Sequence, residues 1–273
     1  MSATSDDRSA VTEPDAVVGL EVVDRVAHLV LDRAATRNAL DLGAFEALVE
    51  HAAALAAADP SEVGAVVVSG RGGTFSSGLD VALFGSTVGP GVDVGRIALL
   101  QRAFDAVEDL DVPVIAAIEG HCLGGGLQLA LACHLRAVAP SASLALLETT
   151  WGIVPDLGAT WRLPRLVGTG RATEIVLSAR RVGADEALAI GLAELALPAE
   201  GALEAAHDIA VRLAQGPAAL RRVPRLVREN TTRGRAEALA AEAEVQVELL
   251  AGHDALEAMR ARVEGRPPRF TGR

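Results

Sequence analysis

Glu119-Gly120-His121-Cys122-Leu123-Gly124-Gly125-Gly126 decides the fold, together with the apolar run Pro113–Ile118 before it and Leu127-Gln128-Leu129-Ala130-Leu131-Ala132-Cys133 after it. It reads as a buried strand entering a glycine cluster that opens a short apolar helix. Three consecutive glycines at a helix start leave free N–H groups with no side chains in front of them, so a ligand oxygen can reach the backbone. The helix dipole favours negative charge there. The same glycines would also permit close helix packing, and the triplet alone leaves both readings open. A nucleotide phosphate loop is excluded by detail. No Gly-Lys-Ser/Thr follows, and the spacing of the glycines does not fit G-x-G-x-x-G.

Outward from this stretch, a second glycine-bearing turn, Thr74-Phe75-Ser76-Ser77-Gly78-Leu79-Asp80, follows the apolar strand Val63–Ser69. Upstream, Val17–Val23 and Val26–Leu31 flank Asp24-Arg25 as a hairpin. Asp41 is the expected N-cap of a helix to about Ala58, with Leu42, Phe45, Leu48, Val49 and Leu55 on one face. Residues 85–94 are glycine-rich and read as mobile, and a helix is expected from about Arg96 to Asp109. Downstream, strands are expected near Leu135–Ala139 and Ser143–Leu146. Helix and strand alternating in this way imply a parallel sheet with crossovers, an α/β core. Beyond about Pro198 the pattern turns to amphipathic helix, interrupted near Gly216-Pro217 and Gly252. The reading is therefore a disordered tail over 1–15, a core over 16–199 and a helical module over 200–273.

Composition bounds the function. A chain of 273 residues is long enough for one large core with a helical appendage. The net charge of −11 argues against nucleic acid or an anionic membrane as partner. No apolar run reaches the roughly 20 residues of a membrane span, and the polar, acidic opening has no secretory pattern, so the expected location is cytoplasmic. Cys122 and Cys133 form neither a disulfide framework nor a metal cluster and read as small core residues. All 25 basic residues are arginine, so a phosphate held by a side chain is held mainly by arginine.

Gln128 is the one polar residue in its helical run. An unpaired buried amide costs on the order of 1–3 kcal/mol, so it needs a partner or a cavity. Helical side chains lean toward the N-terminus, which aims the amide near the free N–H groups of the glycine turn.

The pairing of Phe75-Ser76-Ser77-Gly78-Leu79-Asp80 with Gly120–Gln128 resembles the crotonase (enoyl-CoA hydratase/isomerase) superfamily. So do Arg37-Asn38-Ala39-Leu40, the run Glu148–Leu163 and the closing Arg266-Pro267-Pro268-Arg269-Phe270, all in family order over roughly 17–270. The resemblance implies a crotonase-like ββα spiral core with a C-terminal α-helical trimerisation module, assembling as homotrimers or hexamers. It implies an acyl-CoA thioester substrate, no separate cofactor and no metal. Its oxyanion hole would be the backbone N–H groups of Leu79 and Gly125. Coenzyme A would be contacted around Arg37, Ala39, Ser77, Gly78, Asp80 and Gly124, and by Arg266 and Phe270, in a segment that often reaches coenzyme A on a neighbouring subunit.

The acid–base positions depart from the family's two-glutamate hydratases. Glu148 matches the second glutamate, and Gln128 stands at the first. Glutamine orients water or a carbonyl but cannot exchange protons near neutral pH. The apolar neighbours Leu144, Leu146, Leu147 and Trp151 would raise the Glu148 pKa; otherwise it is an exposed loop carboxylate or a cap. Asp156 has two readings, a second acidic residue as in dienoyl-CoA isomerases or the N-cap of a helix from Leu157. The functions in view are double-bond isomerisation of an enoyl-CoA by Glu148, hydration of a 2-enoyl-CoA with Gln128 positioning water, and acyl-CoA binding without catalysis.

Overall fold

The computed structural model describes residues 17–87, 89 and 91–272, so the tail expected over 1–15 lies outside the described residues. Strands β1 (Val18–Val23) and β2 (Val26–Leu31) form the antiparallel hairpin. Asp24 and Arg25 turn it with φ of 51° and 65°, as a two-residue type I′ turn requires. Helix α1 (Leu42–Ala57) starts at Asp41, whose side chain accepts the Ala44 N–H at 2.9 Å. Its buried stripe is Ala44, Phe45, Leu48, Ala52 and Leu55. Leu42 and Val49, expected there, are exposed. At about 100° per residue they lie roughly 100° around the helix from the centre of the stripe.

Next come β3 (Ala65–Gly70), α2 (Val81–Thr87) and α3 (Val94–Glu108), which starts before the expected Arg96 because Asp93 caps it. α2 covers the first part of the stretch read as mobile, in which residues 88 and 90 lie outside the described set. Then follow β4 (Val114–Ile118), β5 (His121–Leu123), α4 (Gly125–Ala132), β6 (Leu135–Val138) and β7 (Ser143–Ala145). After them run α5 (Ala159–Val167), α6 (Thr169–Ser178), β8 (Val182–Gly183), α7 (Ala184–Ala189) and β9 (Leu195–Ala196). Helices α8 (Ala202–Ala214), α9 (Ala219–Asn230), α10 (Arg235–Ala251) and α11 (His253–Glu264) complete the chain. None of the helices described is long and apolar enough to cross a membrane.

Among the described residues, β1-β2-β3-β4-β6-β9 form one sheet, parallel from β2 onward. A smaller sheet pairs β5 with β7 in parallel and β7 with β8 antiparallel. The large sheet is covered on both faces, as parallel sheets are. Val66, Val68, Val114, Ala116 and Ile118 enter the larger core with Phe45, Phe104 and Leu127. The alternate residues Ala65, Val67, Ile115 and Ala117 meet Ala202, Ala206, Ala210 and Ala214 of α8. This i, i+4 alanine stripe lets the helix lie close: a Cβ built on Gly64 would come 2.7 Å from the Ala214 Cα. Cys122 and Cys133 are buried free thiols, and burial pushes Cys133 up to about 12.

His134 links β4 to α3. Its Nδ1 accepts the Val114 N–H at 3.1 Å, and its Nε2 donates to the Glu108 carbonyl at 3.0 Å. Acceptance at Nδ1 requires the neutral ring, and burial holds its pKa below the ordinary histidine value. Above about pH 6.5 the ring is neutral in folded and unfolded chains alike. As pH falls below that value the unfolded chain takes up the proton first, and stability declines. We expect urea unfolding to show this loss between pH 7.5 and 5.5. His134→Gln, which has no such proton to take up, should flatten the decline.

Candidate active site

The turn Thr74–Asp80 is held by side chains that reach back into it. Asn38, in the left-handed region at φ 55° and buried, donates from Nδ2 to the carbonyls of Arg71 (2.9 Å) and Thr74 (2.7 Å) and accepts the Arg33 N–H at 3.0 Å. Ser76 Oγ donates to the Asn38 carbonyl at 2.7 Å. Arg33 Nη1 donates to the Ala39 carbonyl at 2.7 Å and to Asp80 Oδ2 at 3.0 Å. The Asp80 carboxylate thus serves the loop, with Oδ1 accepting the Ala82 N–H.

A parallel bridge joins this turn to Leu40: the Leu40 N–H donates to the Gly78 carbonyl at 2.8 Å, and the Asp80 N–H donates to the Leu40 carbonyl at 2.9 Å. Successive backbone groups of an extended chain point in alternate directions, so the Leu79 N–H faces away from Leu40. It has no acceptor among the described residues. Gly125 is the first residue of α4, and its N–H is one of the donors every helix leaves unpaired. The two amides lie close together. A Cβ on Gly125 would stand 3.6 Å from the Leu79 N, and one on Gly78, where φ is 98°, would stand 3.5 Å from the Gly125 N.

Each glycine of the triplet has its own task, which resolves the two open readings. A Cβ on Gly126 would sit 2.7 Å from the Ser76 Cβ and 3.0 Å from the Ser76 carbonyl oxygen, so this glycine serves close packing. Gly124 and Gly125 border a cavity of about 430 Å³. Thr36, Ala39, Ser77, Gly78, Leu79 and Asp80 form one part of its wall; Val81, Phe84, Leu147, Glu148, Trp151 and Ile153 form the rest. A larger cavity of about 630 Å³ lies among α9–α11 and the C-terminal tail and shares no wall residue with it.

Glu148 opens a 3-10 turn, Glu148–Trp151, and is 6% exposed, so the reading as an exposed loop carboxylate is set aside. Burial raises its pKa, Asp156 nearby adds to the rise, and its own backbone and Gln128 oppose it. Oε1 accepts from Gln128 Nε2 at 2.8 Å; Oε2 is buried with no hydrogen-bond partner among the described residues. A second-carboxylate acid–base pair is therefore not assembled around it on α4.

Gln128 is engaged at both ends of its amide. Its Oε1 accepts the N–H groups of Leu157 (2.8 Å) and Ala159 (3.3 Å), which lie at the start of α5 and need an acceptor. Gln128 is fully buried and forms no part of the cavity wall. Nor is Asp156 the N-cap of the following helix. α5 begins at Ala159 with Gly158 in the cap position. Burial raises the Asp156 pKa, and its carboxyl is absent from the cavity wall.

Of the other expected residues, Ala39, Ser77, Gly78, Asp80 and Gly124 border the cavity, and Arg37 adjoins it in sequence beside Thr36. Arg266 and Phe270 are not brought to it. Arg266 forms a two-pronged pair with Glu257 and also meets Glu264, and Phe270 borders the C-terminal cavity. Sequence reasoning missed Arg33 and Arg162. Arg162 is buried, donates to the Leu157 carbonyl at 3.0 Å and pairs with Asp105 (2.8 Å) and Glu108 (2.6 Å), bracing the turn that Gln128 holds. An arginine inside an apolar helical face was the available signal, since buried charges are paired. Among the described residues no group of His, Cys, Asp and Glu is arranged to hold a metal.

A sequence profile described as Enoyl-CoA hydratase/isomerase matches residues 21–273. The chain belongs to that family, the crotonase superfamily, and is one of its enzymes, a hydratase or an isomerase. It is 35% identical over 251 residues to the mitochondrial methylglutaconyl-CoA hydratase of Mus musculus, covering 89% of this chain and 78% of that one. It is 38% identical over 157 residues to the peroxisomal fatty acid beta-oxidation multifunctional protein AIM1 of Arabidopsis thaliana, covering 57% of this chain but 22% of that protein. The crystal structure of an enoyl-CoA hydratase from Bacillus anthracis superposes with a TM-score of 0.86 at 32% identity, over 94% of this chain and 99% of that one.

The two neighbouring glycines separate stability from access. Gly126→Ala, driven into Ser76, should lose about 1–3 kcal/mol by overpacking. Gly125→Ala meets its neighbours at ordinary contact distance and should melt with the parent in a thermal scan.

Proposed function

We propose that this enzyme moves the double bond of an enoyl-CoA, with Glu148 as the single proton carrier. The thioester oxygen would accept the Leu79 and Gly125 N–H groups, which hold the charge of the dienolate. Preorganised donors of this kind act where charge develops, and losing one costs about 3 kcal/mol of barrier. Glu148 Oε2 would take a proton from one carbon and return it at the other end of the conjugated system. A raised pKa suits a group that must both accept and release a proton near neutrality. Coenzyme A enters as part of the substrate, with its tail along Arg37, Ala39, Ser77 and Gly78. Arg266 and Phe270 would serve a neighbouring subunit in a trimer or hexamer.

The observation that carries the choice of isomerisation is the engagement of Gln128. Its carbonyl oxygen is occupied by two backbone N–H groups and its amide holds Glu148, so it offers no acceptor to a water molecule in the cavity. One carboxylate is sufficient for a proton shuttle, whereas syn hydration in the two-glutamate manner asks for two. Hydration is the second reading because the mouse and Bacillus anthracis relatives are named hydratases. Crotonyl-CoA and a 3-enoyl-CoA separate the cases. Faster bond migration supports isomerisation, faster water addition supports hydration, and tight binding without turnover supports a binding protein.

Glu148→Gln should lower isomerisation about 10²–10⁴-fold while acyl-CoA still binds. The base works ionised, so kcat/KM should fall as pH drops through the raised pKa, with the acid limb above the ordinary glutamate value of about 4.3. Gln128→Glu places a second carboxylate against Glu148. Its expected outcome is a higher ratio of hydration to isomerisation, with the acid limb moved further up because like charges disfavour ionisation.

A further inference from the structure

Phe84 on α2 and Trp151, at the end of the turn that Glu148 opens, meet edge to face on the wall of the cavity. Their ring centroids are 5.4 Å apart and their planes 65° from one another. The chain has only five phenylalanines, two tryptophans and no tyrosine. Three of the phenylalanines, Phe45, Phe75 and Phe104, are fully committed to the core. An aromatic pair on the wall is therefore a sizeable share of the π surface the chain possesses. Trp151 is 59% exposed, although an indole contributes most when a partner covers it. Its place in sequence, three residues after Glu148, puts it beside the reacting centre, on an element other than the Thr36–Ala39 and Ser77 segments.

The charge of the wall adds a second constraint. Among the described residues bordering the cavity, the titratable groups are Asp80 and Glu148, with no arginine or histidine. Asp80 is already engaged by Arg33. Asp156 lies close enough to Glu148 to raise its pKa. A carboxylate on the acyl group would find no cation on this wall and would approach the Glu148 carboxyl, whose ionisation burial already disfavours.

We propose that the acyl end of the cavity takes an uncharged, flat acyl group whose unsaturation extends beyond the reacting bond, a conjugated dienoyl or aryl-enoyl thioester lying against Trp151 and Phe84. This rests on the acyl-CoA reading of the site. Flat π systems gain from offset or edge contact with such rings. Extended conjugation also spreads the charge of the enolate, which suits a site with a single carboxylate to move protons.

Binding of saturated thioesters, which cannot react, tests the wall apart from the chemistry. Calorimetry on the full chain would compare 3-phenylpropanoyl-CoA, hexanoyl-CoA, glutaryl-CoA and free coenzyme A. The aryl ester should bind on the order of tenfold more tightly than the hexanoyl ester, with the glutaryl ester weakest of the three. Trp151→Leu should erase the aryl preference and Trp151→Phe should keep most of it. Steady-state isomerisation kcat/KM for 4-phenylbut-3-enoyl-CoA and 3,5-hexadienoyl-CoA against but-3-enoyl-CoA extends the comparison to conjugated substrates that carry the α-proton the shuttle moves, and both should exceed but-3-enoyl-CoA. Equal binding of the three esters, a preference for glutaryl-CoA, or an aryl preference that survives in Trp151→Leu overturns the proposal alone. Esters that bind no better than free coenzyme A overturn the acyl-CoA reading as well.

Discussion

Among the described residues the Leu79 N–H is left without an acceptor, while the groups on either side of it, the Gly78 carbonyl and the Asp80 N–H, pair with Leu40. A backbone donor in that state costs on the order of 1–3 kcal/mol when buried without a partner, so a fold tolerates it where the donor opens on a cavity. The arrangement depends on holding two loops in register. The Ser76 N–H donates to the His121 carbonyl, the Leu123 N–H donates to the Ser76 carbonyl, and Gly126 lets α4 come against Ser76. Asn38 ties the same loop to the chain after β2. Two strands that end side by side in the sheet thus present two unpaired amides to one space.

Gln128 shows how a single neutral side chain organises a charged one. Each end of its amide is used, the oxygen on the first N–H groups before and at the start of α5, the nitrogen on Glu148. A carboxylate in this position would lack the donor that holds Glu148 Oε1 and would add a like charge. The amide avoids both, and it leaves Glu148 with one oxygen fixed and the other unpaired. Burial then sets the direction of the pKa, against the weaker pull of the hydrogen bond. Arg162, paired with Asp105 and Glu108, braces the other side of the same turn.

Rigidity at the site comes from the sheet beneath it. Strands buried on both faces cannot slip by one residue without turning every side chain to the opposite layer, and the α8 alanines fit closely against the second face. At the C-terminus, Asp254 and Glu257 of α11 accept backbone N–H groups of the tail at Thr271, Gly272 and Arg269. The tail is therefore held by carboxylates, one of which, Glu257, also pairs with Arg266.

The hairpin, α1, the buried strands and the glycine-opened helix were all readable in the sequence, because apolar periodicity, the Asp41 cap and the glycine triplet act over a few residues. Glu148, Leu79 and Gly125 were also named from their motifs. β5 was not, since three residues inside a glycine turn carry no periodicity, and Leu42 and Val49 were assigned to the buried face because hydrophobicity alone does not mark the centre of a stripe. The partner of Gln128 was likewise hidden: the N–H groups of Leu157 and Ala159 lie 29 and 31 residues away, and α5 has to dock before they compete for its oxygen. By itself the sequence determined which of the longer local elements form and which residues stand out in its family motifs. Tertiary structure alone decided which amides stay unpaired, which glycine serves packing and which the cavity, and that Gln128 faces Glu148, because each of these depends on contacts between segments distant along the chain.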